Sequence, residues 1–167
     1  MACEVSLDSG ITLNAFSVYS PAWPVKLDSL SADDFNAIKL EQLKDVWATD
    51  LIIESLKHHY NKNNWIIAGD LNISSTFDEM WSGEHGCKDT LNNITKLGYK
   101  ECLLGYNKKL IPTFKNAQNK KIIHQMDHLF ASNSLYEKLI SCKVLDDLNI
   151  FEDSISDHLP ILAEFKL

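Results

Sequence analysis

Apolar residues recur along this chain in two rhythms. Between residues 11 and 19 they alternate in the manner of a strand, after a shorter strand around residues 4–7 and a turn at Ser9-Gly10. Pro21 and Pro24 end that run. Further on, Phe35, Ile38, Leu43, Val46, Trp47, Ile53 and Leu56 return at helical spacing, which predicts a helix reaching to Tyr60. Ser31 with Asp34 three residues later resembles a capping box at its start. The polar run Asn61-Lys62-Asn63-Asn64 breaks this pattern. Trp65-Ile66-Ile67-Ala68-Gly69 then has the unbroken apolar character of a strand buried on both faces.

Residues 74–86 are polar and contain glycine, which predicts a loop. Leu91, Ile94 and Leu97 predict a short helix ending at Gly98. Strands are expected at 101–104, 113–116, 122–131, 141–146 and 159–165, with a helical turn at 134–139. The order β-α-β-α followed mostly by β favours a layered α/β or α+β domain over a bundle. A length of 167 residues suits one domain, residues 1–167, with no internal repeat or linker to divide it.

Composition adds constraints. With 45% hydrophobic and 23% charged residues, the chain has the make-up of a soluble globular protein. It carries 16 basic and 23 acidic side chains, a net charge of −7. That balance argues against a broad basic nucleic-acid footprint and leaves a local basic cleft as the route to a polyanion. It suits a bound cation, because clustered carboxylates repel one another unless a cation lies among them. Cys3, Cys87, Cys102 and Cys142 form no CxxC pair, so neither a zinc site nor a disulfide framework is expected. No early segment combines a basic start with a long apolar run, and no apolar stretch approaches membrane-spanning length. The expected setting is the cytoplasm, without a membrane span.

Three acidic motifs adjoin strand-like runs: Gly69-Asp70-Leu71-Asn72, Met126-Asp127-His128-Leu129-Phe130, and Ser156-Asp157-His158-Leu159-Pro160. Strand ends hold carboxylates rigidly, and three carboxylates with an imidazole suit metal-assisted phosphate cleavage. Such a reaction needs an in-line water, stabilisation of charge on the equatorial oxygens and help for the leaving oxygen. Asp70 is a candidate to take a proton from water, and Asn72 can donate to an anion without adding negative charge. An Asp127–His158 pair would favour the imidazolium. Magnesium or manganese prefers the oxygen ligands this chain offers. Each residue alone has a plainer reading: an Asx turn for Asp70 and Asn72, a cap for Asp157-His158, a half-buried strand tyrosine for Tyr19. By strand alternation His128 faces away from Asp127, so it is left out of the site.

Together with Val18-Tyr19-Ser20-Pro21, these motifs resemble, in order and spacing, those of the endonuclease/exonuclease/phosphatase superfamily, from about residue 11 to 167. The resemblance implies a DNase I-like four-layer α/β sandwich, two packed mixed β-sheets with outer helices. It also implies Mg²⁺- or Mn²⁺-dependent hydrolysis of a phosphoester, in nucleic acid or a small phosphorylated molecule. On this resemblance Asp70 orients or deprotonates the attacking water, and Asn72 steadies that carboxylate and the phosphate. His158 contacts a non-bridging oxygen, Asp127 orients His158, and Tyr19 is directed at the phosphate. Asp157 lies at the metal with Asp70 and Asn72.

Family members carry, further upstream, an asparagine and a strand-borne glutamate that is the principal metal ligand. Nothing before Tyr19 matches that segment, and Glu4 lies only one strand ahead. The domain is therefore expected to lack part of its N-terminal half, leaving an unpaired sheet edge to be completed by a missing N-terminal segment or another chain. Two functional classes stay open. One is a metal-dependent nuclease or phosphatase; the other is a catalytically incomplete fragment or phosphate-binding module. Among weaker candidates, His58-His59 reads as a helix C-terminal pair and His85-Gly86-Cys87 as a loop. Trp81 lies in a loop suited to substrate recognition, and Lys115, Lys120 and Lys121 read either as a phosphate attractor or as a solvated turn.

Overall fold

The alternating and unbroken apolar runs become neighbouring strands of one sheet. The computed structural model describes residues 1–29, 31, 45–57, 64–80, 86–146 and 149–167. In chain order the elements are β1 (Ala2–Ser6), β2 (Thr12–Tyr19), a 3-10 turn at Leu27–Ser29, α1 (Ala48–Lys57) and β3 (Trp65–Asp70). Then come α2 (Ser75–Met80), α3 (Cys87–Lys96), β4 (Tyr99–Glu101), α4 (Cys102–Asn107), β5 (Asp127–Ser132), α5 (Asn133–Tyr136), β6 (Leu139–Val144) and β7 (Ile161–Phe165). Five strands form a sheet in the order β1-β2-β3-β5-β4, with β2 and β3 parallel and the other pairs antiparallel. β6 and β7 form a separate antiparallel pair.

The large sheet is apolar on both faces. On one, Phe16, Val18, Trp65, Ile67 and Phe130 pack against Ile53 and Leu56 of α1 and Leu91 and Ile94 of α3. On the other, Leu13, Ile66, Leu129 and Ala131 meet Cys142, Val144, Ile161, Ala163 and Phe165 of the small sheet. β3 sits between both cores, which explains its unbroken apolar sequence. The result is the expected α/β sandwich of two packed sheets, with helices on the outer face of the larger. Among the described residues the small sheet's outer face is open, and Ile140 and Leu162 are about half exposed there. No helix among the described residues is long and apolar enough to cross a membrane.

Several elements differ from the sequence reading. Residues 45–47 are not helical. Instead α1 begins afresh, with the Asp50 carboxylate accepting the Trp47 N–H at 2.8 Å in the manner of a capping box. Residues 75–80, expected as loop, form α2. The strand expected at 101–104 stops at Glu101, whose carboxylate caps α4 by accepting the Leu104 N–H. Residues 113–116 contribute only isolated bridges, from Phe114 to His124 and to His158. The helix ending at Gly98 is found as α3, with Gly98 at φ 88° donating to the Thr95 carbonyl. Asp34, Phe35, Ile38, Leu43, His58, His59, Trp81 and His85 lie outside the described residues.

Candidate active site

Gly69 is where the site begins. Its φ of 136° is closed to side chains, and a Cβ there would lie 2.0 Å from the Val18 carbonyl oxygen on β2. Only glycine lets β2 and β3 run this close, and the next residue is Asp70. Tyr19 pairs with Asp70, and Asp70 pairs with Asp127, so the three stand in one row across the sheet. Cross-strand partners share a face, so this row lies on the small-sheet side of the large sheet.

The chain turns sharply after Asp70. Asn72 has a left-handed φ of 51°, a conformation asparagine tolerates well. Its backbone N–H donates to Asp70 Oδ1 at 2.9 Å. Its amide Nδ2 donates to Asp70 Oδ2 at 2.8 Å and to the Ser20 carbonyl at 2.7 Å. The Asx turn is thus real, and it clamps the Asp70 carboxylate from two sides. Asn72 makes these contacts as a donor.

Across the row, His158 Nδ1 lies 2.8 Å from Asp127 Oδ2. A carboxylate only accepts, so Nδ1 carries the proton. The other ring nitrogen, Nε2, is 3.9 Å from Asp70 Oδ2. Phe114 packs against this imidazole, with ring centroids 5.0 Å apart. Thr113, fully buried, holds the assembly together: its hydroxyl accepts the Met126 and Asp127 N–H groups at 3.1 Å, and its carbonyl accepts the Leu159 N–H at 2.8 Å.

Electrostatics follow from this packing. Burial lifts the Asp70 carboxyl above its ordinary value of 3.8, against the pull of the Asn72 N–H and His158. The hydrogen bond to Asp127 holds His158 above its ordinary 6.5, reinforced by the charges of Asp127, Asp70 and Asp157 and opposed by burial. Asp70, Asp127 and His158 each offer a ligand atom within 4.8 Å of the others, so this group could hold a metal ion. The two carboxylates supply oxygen donors of the kind magnesium and manganese take, and a cation would relieve their mutual repulsion.

Asp70, Asn72, Asp127 and His158 therefore come together as the motifs suggest. Tyr19 stands in the row but is 85% exposed. Asp157 does not join the group. It is exposed and lines a separate cleft of about 220 Å³ with Lys115, Lys120, Phe151, Ser154 and Ser156. His128 faces the other side of the sheet, where its Nε2–H donates to the Ile73 carbonyl at 3.1 Å. A second cleft of about 360 Å³, lined by Ser17, Ala68, Asp127, Leu129, Pro160 and Ile161, opens beside Asp127. Sequence reasoning missed the parts played by Thr113, Phe114 and the Ser20 carbonyl, which have no local signature. The role of Gly69 had one signal, a glycine just ahead of an acidic residue at a strand end.

No family model matches the chain, and no curated protein matches it. Solved structures do. A 3′ phosphatase, NExo, from Neisseria bound to a product DNA hairpin matches at a TM-score of 0.68 and 18% identity. An AP endonuclease from Archaeoglobus fulgidus matches at 0.69 and 17%. In both, 99% of this chain is covered, and it spans 65% of the other's length. A mannosyl-6-phosphatase from Bacteroides thetaiotaomicron matches at 0.55 and 18% identity, over 53% of its length. The fold is the one these phosphoesterase structures share.

Proposed function

We propose that this chain belongs to the endonuclease/exonuclease/phosphatase superfamily and carries much of the active site of a divalent-metal-dependent phosphoester hydrolase, which cleaves a P–O bond by in-line attack of water. One observation carries the reading: Asp70, fixed by Asn72, stands in register with Asp127, which holds His158 over the same sheet face. A raised carboxyl pKa makes Asp70, once ionised, a better base toward water. The raised imidazole keeps a positive N–H donor available to a non-bridging phosphate oxygen. Asp127 keeps Nδ1 protonated and thereby aims Nε2. Tyr19, exposed at the end of β2 in register with Asp70, would offer its hydroxyl to the same phosphate.

The Asp70 and Asp127 carboxylates of that group would hold the ion, with Mg²⁺ or Mn²⁺ the fitting choice for oxygen donors, while His158 keeps its N–H for the phosphate. When bound, it would stabilise charge developing on the phosphoryl oxygens. Asp157, one residue from His158, lies at the edge of this region. Among the described residues β7 pairs only with β6, and Ser17 of β2 is exposed on the face the small sheet leaves open. Strands added beside β7, from an N-terminal segment or a second chain, would cover that face and bring further metal ligands.

The substrate is a phosphoester, in nucleic acid or a small phosphorylated molecule; similar folds include a structure with product DNA and a mannosyl-6-phosphatase. A chain spanning 65% of those structures also supports the second reading, a phosphate-binding module without turnover. The deciding experiment incubates the purified chain with phosphoester substrates and Mg²⁺ or Mn²⁺. Hydrolysis abolished by EDTA and by Asp70→Asn supports the enzyme. Hydrolysis that survives both sinks it. Phosphate binding with no turnover selects the module.

A further inference from the structure

The cleft that takes Asp157 away from the metal-competent group has its own chemistry. It is lined by Lys115, Lys120, Ser154, Ser156 and Asp157 over the Phe151 ring. The Lys115 ammonium is anchored, donating to the Phe151 carbonyl at 3.3 Å and standing 5.4 Å from the ring centroid. That hydrogen bond uses one of three N–H donors. Lys120 occupies a left-handed position, φ 59°, in a turn closed by its own N–H to the Asn116 carbonyl and by Asn116 Oδ1 accepting from Gln118 and Asn119. Among the described residues neither lysine forms an ion pair. The lining therefore carries two positive side chains against the single carboxylate of Asp157, in a chain whose net charge is −7.

This cleft is tied to the candidate active site. The Lys115 N–H donates to the Asp157 carbonyl at 2.9 Å, and Ser156 Oγ accepts the His158 N–H at 3.0 Å. Phe114, next to Lys115, bridges to His158 and packs on its ring. One wall of the cleft is thus a single residue away from the imidazole assigned to the reacting phosphate. Tyr19 lies at the other end of the row, across Asp70 from Asp127.

We propose that the Lys115–Lys120 cleft is a second phosphate subsite, which holds the phosphate next to the one being cleaved on a polynucleotide strand. The proposal rests on the phosphoester reading of the Asp70–His158 site and deepens it, since a monophosphorylated metabolite has no second phosphate to place there. Two unpaired ammonium groups and two serine hydroxyls supply only donors to phosphate oxygens. They make no contact that would read a base, so the subsite adds affinity without sequence preference.

The test measures binding separately from turnover. A labelled single-stranded oligonucleotide is titrated by fluorescence anisotropy into the full chain and into Lys115→Met/Lys120→Asn, which keeps the apolar stem at 115 and a residue suited to the left-handed turn at 120. Lys143→Gln/Lys166→Gln, on exposed positions elsewhere, makes the same change in net charge. The cleft variant should lose about tenfold in affinity at low salt. The slope of log Kd against log salt should fall by about 0.7, the contribution of one single-strand phosphate. Its hydrolysis of p-nitrophenyl phosphate should match that of the unaltered chain.

An oligonucleotide affinity no weaker than that of the control pair overturns the subsite, as does an unaltered chain that binds no oligonucleotide. If the cleft variant loses affinity for a nucleoside 3′,5′-bisphosphate but keeps its affinity for the oligonucleotide, the cleft serves a small substrate and the polynucleotide assignment falls. If lysine-dependent binding appears in a chain that hydrolyses nothing, the subsite stands and the proposed reaction falls. The two ideas can therefore fail separately.

Discussion

Asp127 and His158, 31 residues apart in sequence, are joined by a 2.8 Å hydrogen bond that fixes which imidazole nitrogen faces Asp70. Because Asp127 starts β5 and His158 precedes β7, the bond also fastens the large sheet to the approach to the small one.

This pair should be visible as a titration. In the metal-free chain His158 should titrate above 6.5, with Asp127 the largest cause, and Asp127→Asn should lower it. A folded pKa above the unfolded one means that the pair's stabilisation is complete below pH 6.5. It fades as pH rises through the folded pKa. NMR titration of the imidazole resonances measures both proteins. A His158 that titrates at or below 6.5 in the unaltered chain contradicts the geometry.

Gly69→Ala should be among the most damaging single-methyl changes in the molecule. The added Cβ would meet the Val18 carbonyl oxygen at 2.0 Å, backbone against backbone, at a φ that L residues rarely adopt. The expected loss exceeds about 4 kcal/mol, enough to unfold a marginally stable domain. Circular dichroism and denaturant unfolding report it. An alanine variant as stable as the parent would mean that β2 and β3 lie further apart than found here.

Asn72 lends itself to a comparison of two variants. Asn72→Gly keeps the left-handed turn and removes the amide that serves both Asp70 and the Ser20 carbonyl. Asn72→Ala removes the amide and adds backbone strain at φ 51°. Glycine should cost about 1–3 kcal/mol for the lost partners, and alanine about 1 kcal/mol more. Urea unfolding midpoints rank them. Equal stability of glycine and asparagine at this position would remove the clamp from the account.

Asp70 carries the prediction about turnover. Asp70→Asn should lower hydrolysis by a factor of about 10² or more, the range for a positioned base. The fold should persist, since burial already penalises the charged carboxyl there. In the metal-free chain the Asp70 carboxyl should titrate above 3.8, because burial disfavours its charged form. EDTA should abolish hydrolysis by the unaltered chain and added Mg²⁺ restore it. A metal-free Asp70 carboxyl that titrates at or below 3.8 by NMR would contradict that burial.

Much of this was legible in the linear pattern. The apolar runs placed β2, β3 and β7 within a residue or two, and Gly98 closed α3 as its position suggested. Alternation put His128 on the face opposite Asp127. Other elements were hidden by competing local chemistry. Glu101 looks like strand and acts as a helix cap, and Asp50 restarts a helix that periodicity alone carries straight through residues 45–47. Thr113 bears no motif, yet its hydroxyl holds the start of β5.

The sequence by itself determined which side chains carry chemistry and on which face of its own strand each must lie, because strand geometry alternates with a fixed period of two. It could not determine which strands meet, or in what register. Pairing between β2, β3 and β5 is a contact between distant segments, decided by the fit of two hydrophobic cores and by the backbone approach that Gly69 permits. That tertiary decision set Asp70 opposite Asp127, and the short link after Ser156 left Asp157 outside beside two lysines while His158 turned inward.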